Sequence, residues 1–289
     1  MTTYRVGVDI GGTFTDIVLL GSDGTIHTKK ISSSVEDYAQ AIVRGLGELF
    51  AETGLAGGAI EEILHGTTVA SNAILEHKGA RTGLVTTRGF RDVLEIRTLR
   101  MPRLYDMGWM KPEPLVERYL RRVVDERIDA HGRIERALEA RDAERAVREL
   151  LAEGVEAIAV CLIHSFANPV HELMLRDVIR RLAPGLPYSI SCEVLPEIKE
   201  YERTSPTVVN AYVMPIVATY LHALRRGLDG AGIPARLLLM QSNGGLTTDT
   251  AAAERPMNII ESGPAGGVVG AQALARAKSL EKIITFDMG

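Results

Sequence analysis

Short apolar runs punctuated by turns open the chain. Residues 6–8 are apolar and end at Asp9, residues 14–20 read as a returning strand, and residues 25–31 as a third strand reached through the turn at 21–24. Gly11 and Gly12 turn the chain between the first two strands, which predicts a hairpin. Three meandering strands before any helix argue for a mixed sheet and against a doubly wound one. Ala39, Ile42, Val43, Leu46, Leu49 and Phe50 then repeat at helical spacing, with Ser34 and Asp37 as N-terminal capping residues and Gly54 as the stop. A short strand at 63–64 runs into His65-Gly66-Thr67-Thr68, a helix follows through Ala73, Ile74 and Leu75 to Gly79, and a strand returns at 82–86.

Between residues 89 and 136 the pattern weakens into an ordered loop around Trp109, with one or two strands within 116–128. Regularity resumes at Asp142, read as the N-cap of a helix carrying Ala146, Val147, Leu150 and Leu151 and closed by Gly154. Residues 157–163 form a buried strand, Asn168-Pro169 starts another helix, and 188–194 form a further strand. This alternation predicts parallel pairing. Pro196 marks a boundary, so two domains are expected, 1–195 and 196–289. A long helix over 197–228 should kink or break at Pro206 and Pro215. Strands at 236–240 and 258–260 flank a turn at 243–245, and the small residues of 262–267 open a helix suited to close packing. Finally, residues 283–289 repeat the opening pattern of apolar strand, aspartate, apolar residue and glycine, now centred on Asp287.

Composition narrows the classes. With 289 residues and a net charge of −4, the chain offers no basic surface for nucleic acid, and the arginines between Arg97 and Arg122 are interleaved with Asp106, Glu113 and Glu117. Cys161 and Cys192 sit in apolar or strand-like runs without metal-ligand spacing, as buried free thiols do. No run reaches the roughly 18 apolar residues of a membrane span, so a cytoplasmic protein with no membrane partner is expected.

The candidate chemistry sits in the first hairpin. Glycine at both turn positions lets a ligand approach the backbone, consecutive N–H groups there can cradle an anion, and the Thr13 and Thr15 hydroxyls can donate to phosphate oxygens. Asp9 could hold a hydrated Mg²⁺. Neither common phosphate motif, G-x-x-x-x-G-K-[ST] or G-x-G-x-x-G, is present, and a plain β-hairpin needs the same residues. A second polar cluster, His65, Thr67, Thr68, Ser71 and Asn72, falls at a strand-to-helix junction where mixed sheets contact ligands. The alternative there is a threonine cap and a histidine satisfied in a turn.

The duplicated strand-Asp-Gly hairpin resembles the actin, chaperone and sugar kinase superfamily. That resemblance implies an α/β fold: a ribonuclease-H-like mixed-sheet lobe followed by the start of a second lobe, truncated at its phosphate loop. Within it, Val8-Asp9-Ile10-Gly11-Gly12-Thr13-Phe14-Thr15-Asp16, the segment 65–72, the segment 193–212, Gln241-Ser242-Asn243-Gly244-Gly245 and Ser262-Gly263-Pro264-Ala265-Gly266-Gly267 resemble the hydantoinase A, 5-oxoprolinase and acetone carboxylase family. The resemblance implies ATP-dependent activation of an unreactive carbonyl, with Gly11, Gly12, Thr13 and Thr15 on the phosphates and Asp9 and Asp287 as catalytic residues at Mg²⁺; a second divalent metal is compatible. It would set His65, Thr67, Thr68 and Asn72 near a small cyclic amide or ketone. It also implies an oligomer with a hydantoinase B-type subunit or domain. Arg97-Thr98-Leu99 and Pro206 depart from the family pattern.

Three functions follow. The first is the N-terminal part of an ATP-dependent cyclic amidohydrolase acting on C–N bonds, the second a subunit of an acetone-type carboxylase, and the third a catalytically incomplete nucleotide-binding module. Gene context separates the first two, and Mg-ATP binding by the chain itself tests the third.

Overall fold

In the computed structural model, residues 2–33, 38–98 and 105–287 are described. In chain order the elements are β1 (Tyr4–Ile10), β2 (Phe14–Gly21), β3 (Ile26–Ser32), α1 (Tyr38–Thr53), β4 (Ile60–Gly66), α2 (Val69–Leu75) and β5 (Thr82–Thr87). There follow α3 (Val93–Ile96), β6 (Arg121–Val124), β7 (Arg127–Ile128), β8 (Ile134–Arg136), α4 (Ala140–Ala152), β9 (Ala157–Cys161), α5 (Val170–Leu182), β10 (Tyr188–Ile190) and α6 (Ser191–Val194). The chain continues with α7 (Glu200–Gly230), β11 (Arg236–Met240), β12 (Leu246–Thr248), α8 (Asp249–Glu254) and α9 (Ser262–Ala277). The expected caps Ser34 and Asp37 lie outside the described residues, as do Leu99, Met288 and Gly289.

The elements form two compact units, Met1–Lys78 with Ile216–Gly289, and Gly79–Pro215. These lines differ from the 195/196 boundary read from Pro196. The reason is that β11 and β12, distant in sequence from the opening strands, complete their sheet.

The first unit holds a six-stranded mixed sheet in the order β12-β11-β4-β1-β2-β3. The opening meander is antiparallel, whereas β1, β4 and β11 run parallel. Strict alternation along β2 buries Thr15, Ile17 and Leu19 beneath α1. Gly45 permits this close approach, since a Cβ there would lie 2.5 Å from Ile17 Cδ1 and 2.9 Å from Ile31 Cδ1. Two expected strands are absent. The 258–260 segment lies at a 3-10 turn, Pro256–Ile259, and 283–287 forms no ladder among the described residues. A strand exists only with a neighbour to pair with, and Ile284 and Phe286 are 97% and 85% exposed.

The second unit contains the parallel sheet that its alternating pattern implies, in the order β10-β9-β5-β6. Every residue of β5 and β9 is buried. Asp142 is not a cap: the cap position is Glu139, and the Asp142 carboxylate accepts the Asp125 N–H at 2.7 Å and pairs with Arg145. Asn168 likewise sits one residue before the capping Pro169, its Oδ1 accepting from Val170 N–H at 3.2 Å.

Neither proline interrupts α7, which runs 31 residues through Pro206 and Pro215. Each interior proline costs about 3 kcal/mol. Burial of Val208, Val213 and Val217 returns roughly 2 kcal/mol each, and Thr204 and Thr207 hydroxyls bond back to the carbonyls of Glu200 and Arg203 at 2.6 and 2.7 Å. By length and composition α7 could cross a membrane, but its apolar side, including Tyr212, Val213, Leu221 and Leu224, is buried in the fold, as in a core helix.

Polar groups inside the second unit close on one another. Glu126 accepts from Thr87 and from His171 Nδ1, while His171 Nε2 accepts the Leu138 N–H at 3.2 Å. Arg203 donates to the Ser165 and Ser191 hydroxyls and the Leu162 carbonyl, and Ser191 donates onward to Glu172 at 2.6 Å. The free thiols conform to expectation, Cys161 buried and Cys192 half-buried, each with its pKa pushed up by burial.

Candidate functional site

Parallel strands β1, β4 and β11 end level with one another, because Val8 and Leu239 both stand beside His65, and Asp9 beside Gly66. Side chains and loops at this edge therefore share one ledge, the position at which parallel strands present ligands. All of it belongs to the first unit.

The glycine hairpin closes after the pair Ile10 and Thr15, with the Gly11 N–H on the Phe14 carbonyl at 2.9 Å. Among the described residues the N–H groups of Gly12 and Thr13 have no acceptor, and the exposed Thr13 hydroxyl has no partner. Ser33 braces the loop from the end of β3. Its N–H donates to the Thr13 carbonyl at 2.9 Å, its hydroxyl to the Gly11 carbonyl at 2.9 Å, and it receives the Thr15 hydroxyl at 2.9 Å. Thr15 is thus fully buried on the inner face and works as a brace, in contrast to the phosphate contact expected of it. Position parity explains this: Thr15 lies two residues before Ile17 on the core face of β2.

Asp9 is at the mouth of this loop. Its Oδ1 would meet a Cβ at Gly66 at 3.0 Å, so the carboxylate is seated where this glycine leaves room. Partial burial, then the charges of Asp16 and Asp287, raise its pKa. The two aspartates of the repeated motif are therefore brought into electrostatic reach. Asp16 is paired with Lys30 at 2.9 Å, whereas Asp9 has no cation partner among the described residues.

His65 is 1% exposed. Nδ1–H donates to the Val8 carbonyl at 3.2 Å and Nε2 accepts the Tyr220 hydroxyl at 2.5 Å, so both ring nitrogens are engaged. Burial lowers its pKa to about 4. This is a neutral core histidine that ties β1 to α7, matching the turn-histidine alternative more nearly than a substrate contact. Thr67 is buried, and its backbone N–H and carbonyl are both held by the Ser262 hydroxyl, at 3.0 and 2.8 Å. Thr68 donates to the Ile10 carbonyl at the base of the hairpin at 3.3 Å, and Asn72 donates to Thr68 at 3.4 Å. Thr67 thus joins the ledge through its backbone, Thr68 and Asn72 through their side chains. Ser33 and Ser262 escaped the sequence reading because a lone serine carries no spacing signal.

No cluster of three or more His, Cys, Asp or Glu side chains suited to a metal occurs among the described residues. The donor set fits a hard cation that keeps its water shell, as Mg²⁺ does when one or two carboxylates and phosphate oxygens suffice.

Comparison with known proteins decides the family. The hydantoinase/oxoprolinase N-terminal region matches residues 5–183, and the hydantoinase/oxoprolinase family matches residues 203–289. The chain belongs to the hydantoinase/oxoprolinase family. Among relatives, caprolactamase subunit alpha of Pseudomonas jessenii is 34% identical over 99% of this chain and 42% of its own length. The 5-oxoprolinase 1 of Arabidopsis thaliana is 32% identical over 99% of this chain and 25% of its own. The crystal structure of the ATP-dependent caprolactamase from P. jessenii superposes with a TM-score of 0.89 over 99% of this chain and 42% of that one, at 34% identity. Nucleotide-free acetone carboxylase gives 0.87 at 26% identity, over 96% of this chain and 41% of that one. The chain thus spans less than half the length of these relatives, and the superpositions agree with an actin-like mixed-sheet lobe.

Proposed function

We propose that the chain is the N-terminal part of an ATP-dependent cyclic amidohydrolase, and that the ledge at the ends of β1, β4 and β11 is its nucleotide phosphate site. The observation that carries this reading is the Gly11-Gly12-Thr13 loop, braced by Ser33, whose two N–H groups and hydroxyl have no partner among the described residues and which lies beside Asp9, itself without a cation there. Gly12 and Thr13 would hold phosphate oxygens by their N–H groups. Asp9 and Asp287 would accept from the water shell of Mg²⁺. Thr15, Thr67 and Thr68 keep these groups in place through Ser33, Ser262 and Ile10.

When bound, Mg-ATP would supply a phosphoryl group that converts an amide carbonyl oxygen into a leaving group, overcoming resonance that makes the carbonyl a poor electrophile. The protein's share of such chemistry is positioning and charge neutralisation. A cation at Asp9 would also relieve the repulsion from Asp16 and Asp287 that now raises its pKa. We assign the chain to the cytoplasm and, by the subunit designation of its caprolactamase relative, to an assembly with a hydantoinase B-type partner.

A carboxylase subunit is the second reading, favoured by the likeness to acetone carboxylase and by 31% identity to the acetophenone carboxylase gamma subunit of Aromatoleum aromaticum. In the complete subunit, Asp9→Asn is expected to lower amide-dependent ATP hydrolysis about 100-fold or more while circular dichroism stays unchanged. Turnover equal to that of the parent would remove Asp9 from the mechanism.

A further inference from the structure

Gln241-Ser242-Asn243-Gly244-Gly245 follows β11 and has no part in the phosphate site, yet it occupies the same ledge. Leu239, His65 and Val8 stand side by side across the three parallel strands. Neighbouring strands are about 4.8 Å apart, which sets Gln241 roughly 10 Å from the glycine hairpin with the Thr67 loop between them. A phosphoryl group and one small ring, laid over the Thr67 loop, would span that distance.

The loop is rigid. Gln241 N–H donates to the Gly245 carbonyl at 2.8 Å, Gly244 N–H to the Gln241 carbonyl at 2.9 Å, and Gly245 N–H to Asn243 Oδ1 at 2.8 Å. Ser242 is tied to the Asn258 carbonyl through both N–H and hydroxyl, at 2.7 and 3.0 Å, and its hydroxyl accepts the Glu261 N–H at 3.1 Å. Gln241 Oε1 and Asn243 Oδ1 converge on Gly245, where a Cβ would lie 3.1 Å from each. Glycine there lets the two oxygens approach without displacing either side chain. With the oxygens turned inward, the NH₂ groups are the ends left to meet a ligand, and among the described residues no hydrogen bond engages either one. Gln241 is half-buried, so its donor is already partly withdrawn from water.

A pair of carboxamide donors suits an oxygen that carries partial negative charge and has lone pairs to spare. We propose that Gln241 and Asn243 form the substrate wall of the site, binding the carbonyl oxygen of a small cyclic amide through their NH₂ groups. The assignment rests on the nucleotide reading of the hairpin, since it defines the opposite side of the same ledge.

The test uses the full ¹⁵N-labelled chain, titrated separately with 2-pyrrolidinone and with Mg-ATP, and the variants Gln241→Leu and Gln241→Glu. The lactam should shift the side-chain NH₂ signals of Gln241 and Asn243. Both variants should weaken its binding about tenfold, the worth of one hydrogen bond, with the Mg-ATP response at Gly12 and Thr13 unchanged. A lactam response that is absent, maps elsewhere or survives both substitutions overturns the assignment, provided the hairpin still answers Mg-ATP. Mg-ATP alone moving the Gln241 signal also overturns it, because the wall would then belong to phosphate. Loss of the hairpin response in the parent chain instead sinks the nucleotide reading itself.

Discussion

The two compact units handle polar groups in opposite ways. In Gly79–Pro215 the charged and hydroxyl side chains that enter the core find partners there, Arg203 Nε excepted, as Glu126 does with His171 and Thr87, and as Glu172 does with Ser191 and the N–H groups of Leu162 and Cys192. In the first unit several polar groups at the strand ends have no partner among the described residues: the N–H groups of Gly12 and Thr13, the Asp9 carboxylate and the Gln241 NH₂. Closed networks hold a fold, whereas open donors and an uncompensated carboxylate at a braced edge are free to meet a ligand. Sequence alone ranked these groups by residue type: it set Thr15 on the phosphates and left His65 open between a substrate contact and a histidine satisfied in a turn, and both side chains are buried.

Breaking a closed network should have the largest effect. Glu172→Ala leaves the buried Arg203 guanidinium without its relayed counter-charge and is expected to cost about 3–5 kcal/mol in urea unfolding. A loss under about 1 kcal/mol would show that the serine and carbonyl contacts alone satisfy Arg203.

Next comes the histidine that the first unit keeps internal. The folded pKa of His65 is about 4 against an ordinary 6.5, so its contribution is whole above pH 6.5 and is lost as pH falls towards 4. Removing that linkage with His65→Gln should erase up to about 3 kcal/mol of the parent's acid sensitivity in this window. Parallel stability-against-pH curves for parent and variant would mean that His65 titrates alike in the folded and unfolded chain and that its role as a neutral tie is wrong.

The smallest shift belongs to the open site. Asp9 has a folded pKa above the ordinary 3.8, so its ionised form destabilises the fold at neutral pH, and that penalty fades as pH falls through the raised value towards 3.8. Asp9→Asn should therefore raise the melting temperature slightly at pH 7 and leave it unchanged near pH 3. A lower melting temperature at pH 7 would place Asp9 with the structural groups.

The local pattern carried much of the fold. Alternation along β2 and the helix-strand alternation after Asp142 anticipated the antiparallel meander and the parallel sheet, since both signals are short-range. The return of β11 to pair with β4 was not legible, because a pairing across about 170 residues leaves no periodicity to read. The site was legible where glycines and an aspartate adjoin in sequence, at 9–13. Its braces were not, since Ser33 and Ser262 act through backbone bonds to residues far along the chain. The strand expected before Asp287 needed a pairing partner, which no pattern within 283–287 can supply.

Amide chemical-shift mapping of this chain with Mg-ATP, repeated with ATP in chelator, tests the central claim most directly. The account predicts magnesium-dependent shifts centred on Gly11, Gly12 and Thr13, with Asp9→Asn abolishing the magnesium dependence. Shifts confined to Gly79–Pro215, or none at the hairpin up to millimolar nucleotide, would contradict it.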